Sequence, residues 1–168
     1  MNKIARILRH RWLDESDVHR LLGRGALERI EAKVRASERR HSGEIRVCVE
    51  AGLPLGYLWR NLGAHERAVT MFGKLRVWDT EHNNGVLIYL LLAEHRIEVL
   101  ADRGIHRRAG AERWAQVVAQ MREAFRAGQF EAGLAAAIDT IDALLVEHFP
   151  LAPGEVNPNE LPDAPVIS

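Results

Sequence analysis

A single cysteine in 168 residues rules out an internal disulfide and any zinc site built on thiolates. Cys48 lies in an apolar alternation, so it is expected to be a buried, inert thiol. No apolar run approaches the ~20 residues that span a bilayer. The basic opening from Met1 to Arg11 has nothing longer than Ile7-Leu8, far short of a signal-peptide core. A cytoplasmic location without a transmembrane segment is therefore the expectation. Charge of one sign is missing too: 23 basic residues balance 23 acidic ones. No global field recruits nucleic acid, and none is expected as a partner. GxSxG, GxGxxG and GxxxxGK(S/T) are absent, which leaves esterase-type nucleophile, dinucleotide and P-loop readings without support. There are no internal repeats.

What is present centres on Phe72 to Ile105. Val86 to Leu92 (VLIYLLL) is a short apolar run, led by the turn signal Asn84-Gly85 and followed by a polar break at Ala93 to Arg96. Such a run reads as a strand buried on both faces. Ile97 to Ala101 follows too closely for a helical crossover, so the two strands should pair antiparallel. That pairing brings the start of the first strand and the end of the second to one edge. DTEHNNG (79–85) should then face ADRG (101–104).

Around this hairpin, Glu44 to Glu50 alternates as a strand with Ile45, Val47 and Val49 on one face. Asp14 and Asp17 open a helix, and a second carries Leu27, Ile30 and Val34. Leu58, Leu62, Val69 and Phe72 mark another, with His65 a partly buried helix residue on its stripe. Two strong stripes follow: Trp114 to Phe125, stopped by Gly128, and Phe130 to Phe149, ended by Pro150. The economical assembly is a three-layer α/β/α sandwich around a small mixed sheet containing an antiparallel hairpin. Residues 1–13 form a basic segment with Ile4, Ile7, Leu8 and Trp12 on one helical side; it either packs on the domain or touches a membrane surface or partner. Residues 14–150 make the domain. Residues 151–168 hold most of the prolines and no Lys or Arg, so they are expected to be a disordered acidic tail.

The polar edge admits two readings. Asp79, Thr80, Glu81, Asn83, Asn84 and Asp102 are hard oxygen donors of the kind that hold Ca²⁺ or Mg²⁺. The same residues also serve as turn formers and caps. His82 and His106 flank this edge as a further ligand or acid, or as idle loop histidines.

Ser42 to Val47, Ala68 to Phe72, Asp79-Thr80, Asn84 to Ile88 and Ile97 to Ile105 resemble the TPM domain family. Trp114, Phe125, Gly128, Gly133 and His148-Phe149-Pro150 match its compact bacterial cytosolic branch, and the similarity runs from Trp12 to Pro150. The resemblance implies an α/β/α sandwich with a polar crevice at the sheet edge. Family members are associated there with Ca²⁺ or other divalent cations, and plant relatives with acid phosphatase activity. Carried over by position, it points to Thr80, Asn84 and Asp102 as metal ligands with Asp79 beside them. It adds Gly85, with Glu44 as a second choice, as ligand-binding residues; Arg103, which is not carried over from the family, joins them as a group that could neutralise phosphoryl oxygens. The chain departs from the extracytoplasmic members, which have signal peptides, commonly a membrane anchor and a more acidic crevice; here Arg103 stands beside Asp102.

Three functions follow as expectations. The first is a crevice that binds a divalent cation or small anion in a domain acting through an unidentified protein partner. The second is a weak metal-dependent phosphatase, and the third a membrane-peripheral adaptor.

Overall fold

The computed structural model describes residues 3–168; Met1 and Asn2, at the head of the basic segment, lie outside the described residues. Helices α1 (Lys3–Trp12), α2 (Glu15–Leu22) and α3 (Ala26–Ser37) lead into strand β1 (Glu44–Glu50). Helices α4 (Leu55–Trp59) and α5 (Ala64–Lys74) cross over to β2 (Gly85–Leu91), which turns back into β3 (Arg96–Ala101). Helices α6 (Arg103–Ala109), α7 (Ala111–Arg126) and α8 (Phe130–His148) follow, and β4 (Val166–Ile167) ends the chain.

The sheet runs β3-β2-β1-β4. β1 is parallel to both β2 and β4, and β2 is antiparallel to β3. Side-chain alternation sorts the strands into two cores. Ile45, Val47, Val49, Val86, Ile88 and Leu90 meet the helices α2, α3, α7 and α8. Cys48, Leu87, Tyr89 and Leu91 meet α4 and α5 on the other face. The α/β/α sandwich is therefore the fold, and the hairpin is its centre. No helix among the described residues is long and apolar enough to cross a membrane.

Several expectations are corrected. The tail is ordered against the domain. Ser168 N–H donates to Val49 O (3.1 Å), and its carbonyl accepts from Ala51 N–H (2.8 Å). Leu161 is buried in the second core. A composition poor in apolar residues still docks here, because β1 offers an open edge that needs backbone partners. That docking also buries the polar side of β1, so all seven of its residues are inaccessible despite their alternation.

The crossover is two helices rather than one. α5 buries Ala64, Ala68 and Met71, leaving Val69 and His65 outside, with His65 Nδ1 3.2 Å from Glu98 Oε2. Small alanines let α5 lie close on the sheet, so Val69 does not mark its inner face, whereas Phe72 packs on the second core. On α1, Ile7 packs inward while Ile4, Leu8 and Trp12 stand in solvent. The helix is held by polar groups instead: Arg6 Nε donates to Glu94 Oε1 (2.7 Å), and His10 Nδ1 accepts from Leu53 N–H (2.9 Å).

Candidate functional site

Because β1 and β2 are parallel, Glu44 pairs with Gly85 at one edge of the sheet. β3 arrives there from the opposite direction, and Asp102 N–H donates to Gly85 O (2.9 Å). The two expected segments do face each other. Asn83 O accepts from Ile105 N–H (3.2 Å), and a Cβ on Gly104 would lie 2.5 Å from the carbonyls of His82 and Asn83. Gly85 is required for the same reason: its Cβ would stand 2.0 Å from Val77 O. The left-handed residue of the turn is Asn83, at φ 52°, rather than the Asn84-Gly85 step.

Within this edge the side chains divide. Thr80 Oγ1 accepts from Asn84 N–H (3.1 Å), which closes the loop. Asn84 is fully buried and its Nδ2 donates to Ser42 Oγ (3.2 Å). Asp102 caps α6 by accepting from Arg103 N–H through Oδ1 (2.7 Å). Two oxygens are left over: Asn84 Oδ1 and Asp102 Oδ2 are buried without a hydrogen-bond partner among the described residues. Asp79 is turned outward and paired with Arg76. Arg103 is exposed, its Nε 3.4 Å from Asn83 Oδ1, so it forms no buried ion pair with a carboxylate. His106 lies on the exposed side of α6, which sequence reading took for loop.

Glu44 reaches the edge but is already engaged. Its carboxylate accepts from the N–H groups of Glu160 (3.0 Å) and Leu161 (3.2 Å) in the tail. Burial raises its pKa to about 7, although both N–H groups pull the other way. Glu38 and Asp163 are buried nearby, and Arg46 Nη1 donates to Ala164 O (3.2 Å). Sequence reading missed this acidic group because Glu38 looked like an ordinary charge at a helix end. Only the return of a segment more than a hundred residues later buries it. Cys48 is fully buried and its thiol is pushed up to about 12 by burial, so it carries no nucleophilic chemistry.

No three His, Cys, Asp or Glu side chains converge to hold a metal ion among the described residues. What the edge offers is one carboxylate oxygen and one amide oxygen, both buried and unpaired. Each is an oxygen of the kind a hard cation takes.

Residues 16–144 match the family profile described as the TPM domain. The chain also resembles the NMR structure of BA42 protein from the psychrophilic bacterium Bizionia argentinensis. That match has a TM-score of 0.75 and 25% identity, covering 87% of this chain and 94% of that one. The N-terminal domain of a protein from P. gingivalis, also solved by NMR, gives a TM-score of 0.63 at 18% identity, over 79% of this chain and 83% of that one. The second likeness is one of fold. No curated protein matches the chain.

Proposed function

The chain belongs to the TPM domain family, and from that premise we propose that it binds a divalent cation, Ca²⁺ or Mg²⁺, at the sheet-edge crevice and acts through protein contacts. The observation that carries this reading is the pair of buried, unpartnered oxygens, Asn84 Oδ1 and Asp102 Oδ2. A buried acceptor left unpaired costs ~1–3 kcal/mol, and more when charged, so it calls for water or an ion. Two acceptors repel an anion, which favours the cation over the small anionic ligand. With so few protein donors, affinity belongs at the weak end, about 10⁻⁴–10⁻³ M.

Phosphatase chemistry gains less from the same residues. It needs an activated nucleophile and groups that neutralise phosphoryl oxygens. Thr80 Oγ1 is spent closing its loop, Asp79 is paired with Arg76, and Glu44 is bound to the tail.

A calcium and magnesium titration followed by backbone amide NMR tests the reading. Saturating shifts are expected at Thr80 to Gly85 and at Asp102 and Arg103. Asp102→Asn should weaken binding about tenfold, since it removes the only charged donor. Shifts that never saturate through the millimolar range would end it. Hydrolysis of p-nitrophenyl phosphate that Asp102→Asn abolishes would hand the site to the phosphatase reading instead.

The membrane-peripheral reading draws on a separate observation. On α1, Ile4, Leu8 and Trp12 are 65%, 54% and 85% exposed, and Trp59 of α4 is 64% exposed. Arg9 and Arg11 are exposed on the same helix. An apolar stripe beside arginines suits an anionic interface. Leu8→Ser with Trp12→Ser should abolish co-sedimentation with phosphatidylglycerol vesicles, because neither residue supports the fold. Vesicle binding that survives both substitutions would remove this role from α1.

A further inference from the structure

At the opposite end of the sheet from the crevice, a pocket of about 410 Å³ opens between α2, the β2–β3 connection and the α7–α8 junction. Its walls include Leu22, Val49, Leu90, Ile97, Phe125 and Phe130. Phe125 and Phe130 pack as a tilted pair with ring centres 4.9 Å apart, which closes one side. Apolar walls facing open space forgo dispersion contacts that a tightly packed core would make. The volume falls in the range of about 300–1,000 Å³ common for small-molecule sites. The pocket also lies at the carboxyl ends of β1 and β2, the end where open α/β sheets gather ligands.

The charge around the opening has one sign. Arg96 and Arg122 stand at the rim, exposed, and their side chains make neither a hydrogen bond nor an ion pair among the described residues. Arg126 is also at the rim and reaches back to Glu123 on the outer face of α7. The one carboxylate in the lining, Glu94, is neutralised from the other side. It accepts from Arg6 Nε (2.7 Å) and lies 3.1 Å from His10 Nε2. The pocket therefore combines an apolar interior, two solvent-exposed guanidinium groups without a protein partner among the described residues at the mouth, and one carboxylate already paired with Arg6.

We propose that this pocket binds a single-chain amphiphilic carboxylate, with its hydrocarbon against Leu22, Leu90, Phe125 and Phe130 and its carboxylate across Arg96 and Arg122. The planar fork of a guanidinium suits a carboxylate. The source is a free monocarboxylate rather than a bilayer lipid, because the space takes one chain. This inference is independent of the cation reading, since no residue is shared between the two sites.

The test is a titration of the full chain with sodium dodecanoate below its micellar concentration, read by backbone amide shifts, with 1-dodecanol as the uncharged control. Saturable shifts are expected at Leu21-Leu22, Leu90 to Ile97 and Arg122 to Phe130, while Thr80 to Gly85 stays unmoved. Arg96→Gln and Arg122→Gln are surface changes and should each weaken dodecanoate about tenfold without changing the response to dodecanol. Non-saturating shifts, or shifts that ignore both arginines, would overturn the proposal. So would binding confined to phosphatidylglycerol vesicles with none to monomeric dodecanoate, which would make the same arginines part of a membrane-facing surface.

Discussion

Glu38→Gln is expected to raise the melting temperature by about 10 °C at pH 8 and to change it little at pH 4.5. Glu38 follows α3, is 5% exposed, and accepts from Ile45 N–H through Oε1 (3.1 Å). Burial first, and the charge of Glu44 second, push its carboxyl from 4.5 up to about 9. The folded chain therefore holds a proton that the unfolded chain releases above 4.5. A group raised in this way contributes fully below its unfolded pKa, and the contribution is lost as pH rises toward its folded one. At pH 8 the wild type has lost on the order of 5 kcal/mol by this route. Glutamine keeps the acceptor for Ile45, offers an amide to the neighbouring carboxylates, and has no proton to lose. Thermal melts of both proteins across this range decide it. An equal difference at both pH values, or a less stable variant at pH 8, would show that Glu38 is ionised and hydrated in solution.

Two neighbours shape the same curve. Glu44, raised to about 7, adds a loss of the same sign between 4.5 and 7. His41 acts in the opposite sense. It is fully buried, and desolvation lowers it from 6.5 to about 4. Its contribution is intact above 6.5 and is lost as pH falls toward 4, because the unfolded chain takes the proton first. Between 4.5 and 6.5 the two glutamates outweigh the one histidine, so these three groups place maximum stability in mild acid.

The hairpin and its register were legible because β2 is buried on both faces and therefore continuously apolar. The two polar segments flanking it then had only one edge to share. The family resemblance named the same edge, and the structure brings Glu44, Gly85 and Asp102 to it. What could not be read was which oxygens stay unpaired. Asp79 and Asp102 look alike in sequence, yet Arg76 occupies the first while the second caps α6 and keeps one oxygen free. Likewise Glu44 and Arg46 look like the solvent side of a half-buried strand. Their burial depends on a partner that carries almost no local signal. β4 is two residues long and forms only because β1 is there to receive it.

Deleting residues 157–168 is the change expected to cost most, about 3–5 kcal/mol in urea unfolding. The loss has three sources. Leu161 leaves the second core, removing ~1.5–3 kcal/mol of apolar burial. The edge of β1 loses both backbone bonds to Ser168 and the two carbonyl contacts made by Asn157 Nδ2, to His41 O (3.0 Å) and Gly43 O (3.2 Å). The polar face of β1 loses partners that were matched to it, including the bond from Ser168 Oγ to Glu50 (2.9 Å) and those to Glu44 and Arg46. Water can hydrate the uncovered charges, which is why the loss stays below a sum of the separate bonds. That hydration has a signature of its own. Glu38 and Glu44 regain ordinary carboxylate behaviour, so the decline in stability from mild acid to pH 8 should flatten along with the overall loss. The exposed edge of β1 should also promote self-association, visible by size-exclusion chromatography. A truncated chain with unchanged stability and an unchanged pH slope would mean that the segment does not dock in solution. The acidic group beneath it would then need another source of its burial. The family profile stops at residue 144, so the cover over β1 is supplied by sequence outside the match. A relative lacking such a segment should place uncharged residues at the positions of Glu38 and Glu44, or leave them open to solvent.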